Sequence, residues 1–156
     1  MPSLDDVYRK FGEASEASQL LETELGTHLL ASGLLNDRIM SPTFKVDREK
    51  ATALLGDIDR QTLGQLIRNT RKHRDDLTQL EPLLARALEE RNRLSHHFFR
   101  DHNFRRNTEE GRLLMLNDLD SIHNVVLDAY KAVMLFFSGI DLDELVKNAN
   151  GVTRPN

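Results

Sequence analysis

The sequence predicts an all-α protein: an antiparallel bundle of four principal helices with one short extra helix. Three observations point that way. Apolar residues recur at three- and four-residue steps over four long stretches, the spacing of a buried helical stripe. No stretch shows the period-two alternation of a half-buried strand. Turn-forming groups (Asn36-Asp37, Ser41-Pro42, Gly56-Asp57 and Ser138-Gly139) divide the chain between those stretches.

At 156 residues the chain suits one domain, expected over 1–150, with 151–156 as a loose tail. It has 39% hydrophobic and 29% charged residues, as globular rather than disordered chains do. Cysteine is absent, which excludes disulfides, thiolate zinc sites and cysteine nucleophiles and agrees with a reducing, cytoplasmic setting. Acids at Asp5 and Asp6 stand where a signal peptide carries bases, and the longest apolar run, Ala132 to Phe137, is too short to span a bilayer, so no membrane partner is expected. The net charge of -4 argues against a surface that coats nucleic acid throughout, but Arg86 to Arg106 is locally basic.

The first helix is expected from Ser3 or Leu4 to about Ala31, with Leu4, Val7, Phe11, Ala14, Ala17, Leu21, Leu25 and Leu29 on its inner stripe. Ser3 and Asp6 suit its start, because a hydroxyl caps a free amide and an early acid complements the helix dipole. His28, close to that stripe, is expected to be partly buried and hydrogen-bonded. A connection through Gly33 leads to a short helix from Asp47 to Leu55. The second principal helix spans Arg60 to Arg74, with Leu63, Leu66, Ile67 and Thr70 inward and Arg68, Arg71, Lys72 and Arg74 outward. The third begins at Asp75 or Asp76 and carries Leu77, Leu80, Leu84, Leu88, Arg91, Ser95 and Phe98; Pro82 either kinks it or marks a later start. It is expected to fray between His102 and Asn107. Thr108 caps the fourth, which runs to about Phe137 and ends at Ser138-Gly139, with another turn or two between Asp141 and Asn148. Its apolar face is widened by Met115, Ile122, Val125, Ala129 and Phe136, enough to serve a second copy in a homodimer. His123 on that face is expected to be satisfied in the core or an interface.

Chemistry concentrates in Glu90 to Arg100, where arginines, an amide and two histidines interrupt a leucine-rich pattern. Arg91 stands where the stripe calls for leucine, and a charge placed there needs a partner. Arginine offers a donor fork suited to phosphate, and histidine exchanges protons near neutrality. Cleavage of RNA by its own 2′-hydroxyl needs both abilities and no metal or other cofactor. Arg91 and His96, five residues apart, are separated by about 140° of rotation and roughly 7.5 Å of rise on a straight helix, whereas Asn92 and His96 share a face. A site using both therefore needs a distorted helix, the reach of Arg91, or a second subunit. The same residues equally suit a buried polar network that holds helices together, with His96 and His97 merely exposed.

At Arg91-Asn92-Arg93-Leu94-Ser95-His96 the chain resembles the HEPN superfamily, helical bundles that include many ribonuclease toxins of toxin-antitoxin and phage-defence systems. The shared signature is an arginine, then usually a polar residue, then a histidine after four to six intervening positions. The resemblance implies a metal-independent endoribonuclease acting as a homodimer, with Arg91 and His96 as catalytic pair and Asn92 as the accompanying polar residue. Arg93, His97 and Arg100 become accessory RNA contacts. The partners implied are RNA and, in such systems, a cognate antitoxin or regulatory protein. Some relatives carry a modifiable tyrosine two residues after the histidine; here Phe98 has no phenol. Two other classes compete: a non-catalytic module binding nucleotide, RNA or protein through the same cleft, and a weaker bundle metal site from the pairs Glu24/His28 and Asp120/His123.

Overall fold

A computed structural model describes residues 1–35, 48–73 and 75–150. The expected turns at 36–47, the last residue of the expected second helix and the tail 151–156 lie outside the described residues. The described chain is helical with turns and no strand: α1 (Leu4–Leu35), α2 (Arg48–Asp59), α3 (Leu63–His73), α4 (Glu81–His96), α5 (Phe98–Asp101) and α6 (Glu109–Asn150), with 3-10 turns at Asp75–Leu80 and Arg105–Asn107. No helix among the described residues is long and apolar enough to cross a membrane.

The caps follow the sequence. The Ser3 amide donates to Asp6 Oδ2 at 2.8 Å and the Asp6 amide donates to Ser3 Oγ at 3.1 Å, so two amides that α1 leaves free are satisfied reciprocally. Thr62 and Gln65 repeat the pattern at α3, and Thr108 Oγ1 accepts from the Gly111 amide at 3.0 Å at the start of α6. Pro82 falls in the first turn of α4, where its missing N–H costs nothing, so it marks the later start rather than a kink. The 3-10 turn takes up the preceding residues from Asp75.

All eight residues of the α1 stripe belong to the core or pack against it, and Leu63, Leu66, Ile67 and Thr70 of α3 are buried. On α4 the buried line is Leu84, Ala87 and Leu94, continuing to Phe98; Leu94 occupies the place expected of Ser95, which is exposed. From α6, Met115, Leu119, Ile122, Val126, Ala129, Val133 and Phe137 complete the core.

Besides α3, which begins at Leu63 rather than Arg60, three boundaries differ from expectation. α1 continues through Gly33 to Leu35, α2 through Gly56 to Asp59, and α6 through Ser138-Gly139 to Asn150. A single glycine costs a helix interior only about 1 kcal/mol, and after Gly139 the sequence resumes helical apolar spacing at Leu142, Leu145 and Val146. A further difference is a break at His97, whose backbone (φ -127°, ψ -23°) separates α4 from α5.

The topology is not uniformly antiparallel. Arg112 bonds the Pro2 carbonyl, Lys10 bonds Asp120 and His123, and His28 stacks on Phe137, so α1 and α6 advance together as parallel neighbours. α4 opposes both: Arg91 meets Glu22 and Phe98 meets Phe11 along α1, while Arg93 meets Asp118 near the start of α6. α3 opposes α4, since Gly64 lies against Leu88 and Arg71 bridges to Glu81. The reason is the minor helix. By Ile58 at the end of α2 the chain has returned to the level of Gly26, adding a reversal that a four-helix count omits. A Cβ at Gly26 would stand 2.9 Å from Ile58 Cγ2, so the glycine allows that approach.

Candidate functional site

α4 is regular from Glu81 to His96, so the break at His97 falls after the interval between Arg91 and His96 and leaves their divergence intact. Arg91 leans toward α1. Its Nε donates to Glu22 Oε1 at 3.1 Å, its Nη2 lies 3.0 Å from the same oxygen, and its Nη1 donates to Asn92 Oδ1 at 3.2 Å. Arg91 thus sits on the expected stripe as a half-buried charge, with Glu22 as the partner its position requires. The guanidinium is only partly engaged, its Nε and Nη1 each donating one hydrogen bond and its Nη2 ion-paired with Glu22. An open cleft of about 340 Å³ borders it, lined by Phe11, Ser15, Gln19, Glu22, Arg91 and Ser95 among others.

His96 is not part of that lining. It is exposed, and its ring makes an edge-on contact with His97, 6.3 Å between centroids. Asn92 is exposed beside it on the same face of α4. Within one chain, then, Arg91 and Asn92 are brought together, while His96 stands on the adjoining solvent-facing ridge.

Of the three expected accessory bases, His97 and Arg100 are exposed and bond each other, Nδ1 to Nη2. Arg93 is placed differently. Its Nη1 and Nη2 donate to Asp118 Oδ2 and Oδ1, both at 2.7 Å, and Nη2 also donates to Glu90 at 2.7 Å. These carboxylates hold the guanidinium firmly charged, Asp118 foremost, and Arg93 in turn holds Asp118 below the usual carboxylate range against the opposing effect of burial.

Asp118 anchors a network that the sequence reading passed over. His102 Nε2 bonds Asp118 Oδ2 at 2.7 Å, and Arg105 Nη1 lies 3.0 Å from His102 Nδ1. Arginine can only donate, so Nδ1 accepts and the ring proton belongs on Nε2, directed at Asp118. The helix does end at Asp101, as expected, but His102 in the turn that follows is 3% exposed. Its signal was present: Leu94, Phe98 and His102 follow at four-residue steps, and Asp118 stands beside buried Leu119. This partly buried chain ties α4, α5 and the Arg105–Asn107 turn to α6.

His28 and His123 are satisfied by neighbours. His28 bonds Glu24 at 2.8 Å and stacks on Phe137 with centroids 3.6 Å apart. His123 Nδ1 lies 3.1 Å from Lys10 Nζ, whose ammonium form is favoured first by Asp120 at 2.7 Å and then by Glu13. Among the described residues, no three histidine, cysteine or carboxylate side chains converge as metal ligands would. Compared with family models, curated proteins and solved structures, the chain matches none.

Proposed function

We propose that the chain is a metal-independent endoribonuclease of the HEPN kind, with Arg91 on the scissile phosphate and His96 in proton transfer. The observation that carries the reading is the placement of Arg91: a guanidinium only partly engaged by Glu22 and Asn92, set in an open cleft, on the same helix as an accessible histidine. In the reaction, the 2′-oxygen forms a bond to phosphorus as its proton leaves to a base, and the 5′-oxygen departs with a proton from an acid. Arg91 lowers the energy of the charge that builds on the non-bridging oxygens. Because Arg91 and His96 diverge within one chain, the active unit is a homodimer in which the two copies of the motif face each other and two His96 rings supply base and acid.

The test is cleavage of RNA in excess chelator by wild type, Arg91→Ala and His96→Ala. Wild type is expected to cut, and each variant to lose at least about 100-fold, the usual contribution of a positioned acid or base. Equal activity in all three removes the assignment.

One observation favours a second reading, a non-catalytic module binding RNA, nucleotide or protein through the same cleft. Glu22 offsets the charge of Arg91, which weakens its pull on a phosphate. That reading predicts RNA binding that depends on Arg91 and falls with salt, without cleavage products.

A further inference from the structure

The aromatic side chains of this protein are unevenly exposed. Among the described residues, the exposed aromatic rings are Tyr8 at 48%, Phe99 at 38% and Phe104 at 80%. All three lie at the end of the bundle where α1 begins and α4 gives way to α5; the exposed apolar side chains elsewhere are aliphatic. Tyr8 and Phe99 pair across α1 and α5 with centroids 6.0 Å apart, and Phe99 lies 5.0 Å from Phe11, which lines the Arg91 cleft. The rings therefore continue that cleft, and Phe99 is about 12 Å along the helix direction from Arg91.

The connection from α4 to α6 at this end is basic, although the acids Asp5, Asp6, Glu109 and Glu110 open α1 and α6 there. Between Arg91 and Arg106 there are five arginines and one aspartate, in a chain of net charge -4. Arg91 and Arg93 are paired with carboxylates, but Arg100, Arg105 and Arg106 have no carboxylate partner among the described residues. Guanidinium groups without carboxylate partners, on the same connection as the exposed rings of Phe99 and Phe104, match a ligand that carries repeated negative charge and free aromatic faces. Single-stranded nucleic acid has both; in a duplex the base faces are already stacked on one another.

We propose that this surface is a track for single-stranded RNA, with bases stacking on the Tyr8–Phe99 pair and Arg100, Arg105 and Arg106 holding the phosphates that lead to Arg91. The proposal rests on the RNA reading above and adds the form of the substrate and the residues that select it. It commits to RNA because exposed flat rings together with guanidinium groups that lack carboxylate partners among the described residues match bases and phosphates at once.

The test measures fluorescence anisotropy of a labelled single-stranded RNA and of its blunt duplex. Both are titrated in chelator with His96→Ala protein, so that cleavage does not intervene. Tyr8→Leu and Phe99→Leu are then added separately, each keeping an apolar side chain, and folding is verified by melting temperature. The expected result is preference for the single strand, weakened roughly five- to hundred-fold by either leucine, with duplex binding unchanged. Equal affinity for duplex and single strand, or unchanged single-strand binding in both leucine variants, overturns the proposal. So does a change in oligomeric state with no change in binding, which would make the surface a face between copies. The two readings fail separately. Binding through Phe99 by a wild type that never cuts refutes the nuclease alone, and cutting that ignores both leucines refutes the track alone.

Discussion

Replacing Asp118 by asparagine tests whether the partly buried Arg93–Asp118–His102 network organises this end of the bundle. Asp118 accepts three bonds of 2.7 Å, two from Arg93 and one from His102. Asparagine offers one oxygen and one NH2. Whichever way it is turned, the NH2 faces a donor, either Arg93 or the Nε2 proton of His102, and His102 cannot shift that proton to Nδ1 without opposing Arg105. Hydrogen bonds to charged groups contribute about 1.5–3 kcal/mol each. Arg93 keeps Glu90, and the Arg93 and Asp118 side chains are 31% and 23% exposed, so water recovers part of the loss. A net cost of about 3 kcal/mol follows, or roughly 6–12 °C in melting temperature for a chain of this size. The pH dependence has a definite sign. Arg93 chiefly, and His102 after it, lower the folded-state pKa of Asp118, so its contribution is complete above about pH 4 and is lost as pH falls through the depressed value. Thermal melts of wild type and Asp118→Asn at neutral pH should therefore differ fully, and the gap should close below about pH 4. A neutral-pH gap under about 1 °C, far short of the change expected for 3 kcal/mol, or a gap that widens on acidification, would refute the reasoning.

Two further substitutions probe other parts of the molecule. Glu22→Gln keeps an acceptor for Arg91 but removes the opposing charge, so RNA should bind more tightly, with a log–log salt slope steeper by about 0.7 for a single strand; weaker binding across a salt series would show that Glu22 does not restrain Arg91. Gly111→Ala would place a Cβ 2.1 Å from the Arg105 carbonyl oxygen, with backbone on both sides of the clash. Its melting temperature should fall by an amount equivalent to about 3 kcal/mol, and a neutral change would mean that the Arg105–Asn107 turn yields freely.

The all-helical class was legible because apolar spacing and capping chemistry are local. Ser3, Thr108 and the α1 stripe from Leu4 to Leu29 act through neighbours within a turn or two, and those neighbours are written in the sequence. Arg91 was legible as an anomaly for the same reason, since a charge on a leucine stripe is visible without a structure. Helix ends at glycine were less legible, because one glycine costs too little to stop a helix whose apolar pattern resumes beyond it.

What the sequence by itself determined, then, was the helical class, most of the core and the oddity of Arg91 beside His96. Tertiary structure alone decided that α1 and α6 lie parallel, that Glu22 is the partner of Arg91, and that Arg93 and His102 both meet Asp118. Those pairings join residues 69, 25 and 16 positions apart. Helical periodicity assigns a residue to a face of its own helix but carries no information about which helix that face will meet; that choice depends on the number of chain reversals and on the packing of whole elements.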